Sequence, residues 1–199
     1  AARWLLPRLP ALQASAPELD LRLLISHLWT TLDGVQADMA IRYGTGDWPG
    51  LTAHHLFDND FVPACSPSLG LTHAQDLPQH QLLHFEPMAL KAKVTDWRKE
   101  WSDWQQLAQV PGLDATRGPV FSDETHAIAA AIAGQGVALM SRALIAPELA
   151  AGTLVAPFGP ALAGRPFFLV YPSERADEAA VAAVRSWLVH PAQDAPQAS

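Results

Sequence analysis

The segment Asp38–Leu51, Asp-Met-Ala-Ile-Arg-Tyr-Gly-Thr-Gly-Asp-Trp-Pro-Gly-Leu, constrains the fold more than any other stretch of the chain. Met39 to Ile41 is a short apolar run of the kind a buried strand needs, and it gives way at once to polar and turn-forming residues. Gly44, Gly46 and Gly50 admit φ > 0, Pro49 fixes one turn position, and Arg42, Tyr43, Asp47 and Trp48 put charge, hydroxyl and aromatic faces into one loop. A strand running into such a loop is how open α/β sheets build ligand sites at strand carboxyl ends.

The elements around it alternate in type, which predicts an α/β chain with mostly parallel strands. Trp4 to Ala14 reads as a helix with Leu5, Leu9 and Leu12 on one stripe, interrupted by Pro7 and Pro10. Leu21–Ile25 reads as a strand, Thr31–Gln36 as a short helix, Leu56–Ala64 as an extended crossing and Leu82–Phe85 as a strand. Asp96 to Val110 reads as a helix that shares Trp97, Trp101 and Trp104 on one face and stops at Pro111-Gly112. Val120 to Leu139 is a strand–helix–strand unit in which Ser122 or Asp123 caps helix Glu124–Ala133. Pro147–Ala150 adds a helical turn, Thr153–Phe158 an extended segment, Phe167–Tyr171 an apolar strand, and Asp177–Leu188 a last helix.

Charge limits the partners. With 13 Lys and Arg against 20 Asp and Glu, the chain carries −7, and its basic residues are scattered. Gripping a phosphate backbone needs clustered cations, so nucleic acid is not a ligand of this polypeptide alone. The 199 residues, 49% hydrophobic and 17% charged, are enough to bury a core. No apolar run spans a membrane, and the opening Ala-Ala-Arg-Trp-Leu-Leu-Pro breaks before a signal-peptide core forms, which predicts a cytoplasmic protein. A single cysteine, Cys65, excludes an internal disulfide framework and reads as a buried inert thiol.

Ala40-Ile41-Arg42-Tyr43-Gly44-x-Gly46-x-Trp48-Pro49-Gly50-Leu51, followed by Val62-Pro63-Ala64-Cys65-Ser66-Pro67 and by Gly134-Gln135-Gly136-Val137-Ala138-Leu139, resembles the effector-binding domain of LysR-type transcriptional regulators, in the glycine-cleavage and β-lactamase regulator subgroup. The similarity runs from Arg3 to Leu188. It implies a type 2 periplasmic-binding-protein fold, with lobe I from residues 1–61 and 162–199, lobe II from 62–161, and crossings near Phe61-Val62 and Gly159–Gly164. It implies a small effector held in the cleft between the lobes. A winged helix-turn-helix and linker helix, absent from this chain, would bind DNA. Members of the family carry a strand and a Ser- or Thr-containing turn just before the Trp-Leu-Leu-Pro-Arg helix; here lobe I is expected to lack that first strand.

Candidate ligand groups sit at strand ends and at the start of the Glu124 helix, where N–H groups and the helix dipole favour anions. They are Ser26, His27, Arg42, Tyr43, Gly44, Ser122, Asp123 and Thr125. Asp123 and Glu124 would repel an anion but could hold an ammonium, so an amino acid, carboxylate or peptide-like effector is expected. Arg42 could instead make a structural ion pair, and Trp48 could pack the loop or offer a stacking platform. The resemblance also implies a homodimer, or a tetramer in the full-length protein, whose helices meet through Leu5, Leu9, Leu12, Ala127, Ala130 and Ala131. Eight histidines invite a metal, but His54-His55 alternate across a strand and His73, His80 and His84 lack partners at ligand spacing. Ser66 lacks a nucleophile elbow. No cofactor motif and no catalysis are expected; the alternatives are a transporter's solute-binding protein or, less favoured, an enzyme on the same fold.

Overall fold

The computed structural model describes residues 1–26, 30–86 and 100–189. In chain order the helices are α1 (Ala2–Leu5), α2 (Leu9–Ser15), α3 (Trp101–Ala108), α4 (Glu124–Ile132), α5 (Ala146–Ala150) and α6 (Ala179–Val189). The strands are β1 (Ala40–Tyr43), β2 (Leu51–Phe57), β3 (Asp60–Ala64), β4 (Leu82–Phe85), β5 (Val120–Phe121), β6 (Val137–Ser141), β7 (Leu162–Ala163) and β8 (Phe167–Pro172). The chain divides into two compact units, Ala1–Asp58 with Arg165–Ser199, and Asn59–Gly164.

In the first unit, β8 lies between β1 and β2 and is antiparallel to both. Its core joins Leu169, Tyr171, Val181 and Leu188 to Trp4, Leu5, Leu56 and Trp187. Trp4 stacks on Phe57 at 4.5 Å, and Phe57 stacks on Phe167 at 4.8 Å. The N-terminal helix is broken where its prolines remove N–H donors: a 3-10 turn at Leu6–Arg8 separates α1 from α2. Arg8 Nη1 donates to the Trp4 carbonyl at 2.6 Å, and the guanidinium lies 4.4 Å from the Trp4 ring centre.

Two expected elements do not form. Leu21–Ile25 takes no place in a ladder, and Leu23, Leu24 and Ile25 are exposed, Ile25 by 67%. An apolar run becomes a strand only when a partner supplies hydrogen bonds, and no described strand pairs with it. At Thr31–Gln36, Asp33 Oδ1 accepts from the N–H groups of Val35 and Gln36, both at 2.9 Å. The side chain captures the donors a helix would use, and a turn results. These two hydrogen bonds hold the Asp33 carboxyl below its ordinary range.

The second unit holds a five-stranded sheet in the order β5-β4-β6-β3-β7. β4 is parallel to β5 and β6, whereas β3 is antiparallel to β6 and β7. The expectation of mostly parallel strands is therefore corrected to an antiparallel sheet in the first unit and a mixed one in the second. β3 enters the unit and β7 leaves it, and they pair at Asp60↔Ala163 and Phe61↔Leu162, so opposite directions follow. On one side of the sheet α4 sets Ala127, Ile128, Ala130 and Ala131 against Val62, Ala64, Leu83, Ala138 and Met140. A second cluster surrounds Trp101 and Trp104 with Leu77, Leu82, Val110, Leu113 and Val137. Trp101 Nε1 donates to the Leu83 carbonyl at 3.2 Å and Trp104 Nε1 to that of Pro160 at 2.7 Å, which satisfies both buried indoles. Helix α3 opens with a capping box between Glu100 and Asp103; Trp97 and the expected start at Asp96 lie outside the described residues.

This packing places the residues expected at a dimer contact. Leu12, Ala127, Ala130 and Ala131 are buried inside their own units, and Leu5 packs into the first unit's core. The small side chains of α4 let it lie close to its own sheet. Its outward face carries Thr125, His126, Ala129 and Ile132, while Leu9 is half-buried.

Candidate functional site

Arg42, Tyr43 and Gly44 stand together at the end of β1, in the first unit. Register with β8 puts Tyr43 opposite Phe167, with ring centres 5.1 Å apart. The Tyr43 hydroxyl accepts from the Arg165 N–H at 2.8 Å, and the Gly44 N–H donates to the Pro166 carbonyl at 3.1 Å. Arg42 Nη2 donates to the Thr30 carbonyl at 2.9 Å. Burial pulls the Arg42 guanidinium below its usual range, yet it stays charged at neutral pH.

The glycines of the following loop are required mainly by neighbours. A Cβ at Gly44 would stand 2.8 Å from Trp48 Cζ2, and one at Gly46, where φ is +89°, would stand 2.8 Å from Phe168 Cζ. Trp48 is buried and meets Phe168 edge-on at 5.7 Å. Of the two readings of Trp48, packing is the one observed.

Ser26 is exposed on an irregular stretch of the same unit, and His27 lies outside the described residues. Ser122, Asp123 and Thr125 belong to the second unit. Asp123, not Ser122, caps α4: its Oδ1 accepts from the Thr125 N–H at 2.7 Å. One first-turn donor is thereby committed, and Glu124 adds a second carboxylate to that turn. Ser122 and Thr125 are exposed. The arrangement suits an ammonium or hydroxyl group at the helix start better than a bare anion.

His54, His55 and His73 have structural partners. His54 Nε2 lies 2.8 Å from the Tyr171 hydroxyl, His55 Nε2 2.9 Å from Asp58 Oδ1, and His73 Nδ1 2.8 Å from Thr72 Oγ1. Among the described residues no three His, Cys, Asp or Glu side chains are grouped to hold a metal. Cys65 is buried, which pushes its thiol up.

One feature was not among the expected sites. Gln79, His80, Gln81, Asp114 and Arg117 line a cavity of about 250 Å³ within the second unit. No motif marks it, because its two walls are more than thirty residues apart in sequence.

Residues 1–192 match the family described as LysR substrate binding domain. The glycine cleavage system transcriptional activator of Escherichia coli (strain K12) is 32% identical over 195 residues, covering 95% of this chain and 61% of that protein. The HTH-type transcriptional activator AmpR of Rhodobacter capsulatus is 34% identical over 187 residues, covering 93% and 61%. The chain thus spans about three-fifths of the length of these relatives. The effector domain of AmpR of Pseudomonas aeruginosa superposes with a TM-score of 0.73 at 34% identity, covering 94% of this chain and 88% of that one. The AmpR effector binding domain from Citrobacter freundii gives 0.74 at 25% identity, covering 93% and 89%. The fold is the periplasmic-binding-protein-like α/β fold of such domains.

Proposed function

The chain belongs to the LysR substrate-binding domain family, and from that premise we propose that it is the effector-sensing part of a bacterial LysR-type transcriptional regulator that works in the cytoplasm without catalysis. The observation that carries this reading is the family match over residues 1–192 together with transcriptional activators as relatives. DNA is bound by a helix-turn-helix segment outside this chain, and the net charge of −7 supports that division of labour. Among the described residues no helix is long and apolar enough to cross a membrane. The unit containing residues 1–58 acts as regulatory subdomain I and residues 59–164 as subdomain II.

The effector is a small amino acid, carboxylate or peptide-like molecule; Ser26, Arg42 and Tyr43 are the candidate contacts in the first unit, and Ser122, Asp123 and Thr125 are separate candidates in the second. Its preference for one arrangement of the domain is what biases the regulator. Calorimetric titration of the chain with amino acids and muropeptide-like ligands tests this. Thr125→Val is expected to weaken binding by roughly 1–3 kcal/mol, the cost of leaving a polar group of the bound effector buried and unpaired. Affinity indifferent to changes at Ser26, Tyr43 and Thr125 alike would remove the site.

The homodimer uses the outward residues Ala129 and Ile132 of α4 in place of the buried alanines. Sedimentation at micromolar concentration should show a dimer that Ile132→Glu dissociates; a dimer unaffected by that charge would place the interface elsewhere.

A further inference from the structure

The cavity in the second unit is an open depression whose polar lining, Gln79, Gln81, Asp114 and Arg117, is exposed, with His80 half-buried. One wall is the turn Gln79–Gln81 between the 3-10 segment Ala74–Gln79 and β4; the other is the loop from Gly112 to Arg117. Leu77, Leu82 and Leu113, all buried, close its apolar floor. The volume of about 250 Å³ holds a small metabolite and is too tight for a drug-sized one.

Both walls are held by their backbones. The His80 N–H donates to the Leu77 carbonyl at 2.9 Å, and the Gln81 carbonyl accepts from Val137 N–H at 2.9 Å. Opposite, Gln105 Nε2 donates to the Leu113 carbonyl at 2.6 Å, and Asp114 Oδ1 accepts from Thr116 N–H at 3.0 Å and from its hydroxyl at 2.7 Å. A Cβ at Gly118 would stand 1.8 Å from the Leu82 carbonyl oxygen, so the loop is pressed backbone to backbone against β4. Rigid walls lower the ordering cost of binding.

The side chains on those walls are left over. Among the described residues the side chains of Gln79, His80, Gln81 and Arg117 make no hydrogen bond or ion pair. Arg117 and Asp114 line one rim with opposite charges; hydrogen bonds from Thr116 and, to a lesser extent, the attraction of Arg117 hold the Asp114 carboxyl below its ordinary range, but no ion pair closes between the two side chains. A ligand bearing only an anion would meet Asp114, and one bearing only a cation would meet Arg117. A molecule with both charges satisfies both, and the two glutamine amides can serve either end.

We propose that this cavity binds a small zwitterion, its carboxylate on Arg117 and its ammonium on Asp114. The site is separate from the one assigned above and does not depend on it. The test is nuclear magnetic resonance titration of the isotopically labelled 199-residue chain with glycine, β-alanine, 4-aminobutyrate and 6-aminohexanoate, beside acetate and methylammonium as single-charge controls. At least one amino acid of the series should move the amide signals of Gln79, His80, Gln81, Asp114 and Arg117 at concentrations where neither control does. Arg117→Gln and Asp114→Asn should each weaken that binding roughly tenfold, while Thr125→Val leaves it unchanged. Asn at position 114 keeps the acceptor for Thr116, and Gln79→Ala is a third variant should either of the others misfold. The proposal falls if acetate or methylammonium acts as strongly as every zwitterion, or if these signals do not move. It also falls if Thr125→Val weakens the response as much as Arg117→Gln, because the signals would then report the effector site.

Discussion

The loop after β1 and the cavity between Gln79–Gln81 and Gly112–Arg117 both depend on glycines, and they use them in opposite ways. In the loop, Gly44 and Gly46 leave room for side chains, and Trp48 and Phe168 fill it. At the cavity, Gly118 lets one backbone press on another, and among the described residues the side chains of Gln79, His80, Gln81 and Arg117 make no hydrogen bond, whereas Asp114 is held by Thr116. A dense motif can therefore be spent on packing, whereas an unremarkable stretch can keep its chemistry available. Ligand capacity follows the uncommitted groups.

The contrast can be broken at several points. The largest effect is expected from Gly118→Ala, which would place a Cβ 1.8 Å from the Leu82 carbonyl at a φ of +139°. Urea denaturation should show a loss of about 4 kcal/mol or more. A loss below about 1 kcal/mol would mean that the wall yields, and its rigidity would have to be abandoned. Trp48→Ala comes next, at about 3 kcal/mol for emptying a buried indole site. If Trp48→Ala instead left stability intact and weakened an effector, the loop would be a binding platform after all.

The smallest effect concerns a turn outside both regions. The Asp33 carboxyl is held below its ordinary range by hydrogen bonds from Gln36 and Val35 N–H groups. A depressed carboxylate contributes stability above its unfolded pKa, and that contribution is lost as pH falls through the folded one. Thermal melts from about pH 5 to about pH 3 should therefore fall more for the parent chain than for Asp33→Asn, which keeps a neutral acceptor. Equal slopes would show that the turn is held by something other than that charge.

Much of the fold was legible because local signals were strong. β1 follows from its own apolar run, and α4 and β6 follow from a capping aspartate, Asp123, and a terminal glycine, Gly134, that lie close together in sequence. The start of β2 at Leu51 is weakly marked because Leu51-Thr52-Ala53-His54-His55 is half polar, although His54 and His55 alternate as expected of a strand; the inward histidine is satisfied by the Tyr171 hydroxyl, which sequence does not reveal. Leu21–Ile25 was misread because strand identity belongs to a pair, and Thr31–Gln36 because one carboxylate outcompeted the helix. At the candidate site, the cap on α4 was legible to within one residue, but the contacts of Arg42 with Thr30 and of Tyr43 with Arg165 are long-range and left no trace. The cavity was invisible for the same reason, since folding alone brings its walls together.

The pairing of β3 with β7 has a consequence for inheritance. Residues 59–164 start and finish one hydrogen-bonded step apart, at Asp60 and Ala163, so the segment forms a closed cassette whose two severed ends are neighbours. Such a piece can be lifted into another host chain, or have its natural ends joined and new ones opened at an exposed turn such as Pro111-Gly112, without unthreading its sheet. Evolution could then exchange the second unit and its cavity as one parcel while leaving the rest of a regulator in place.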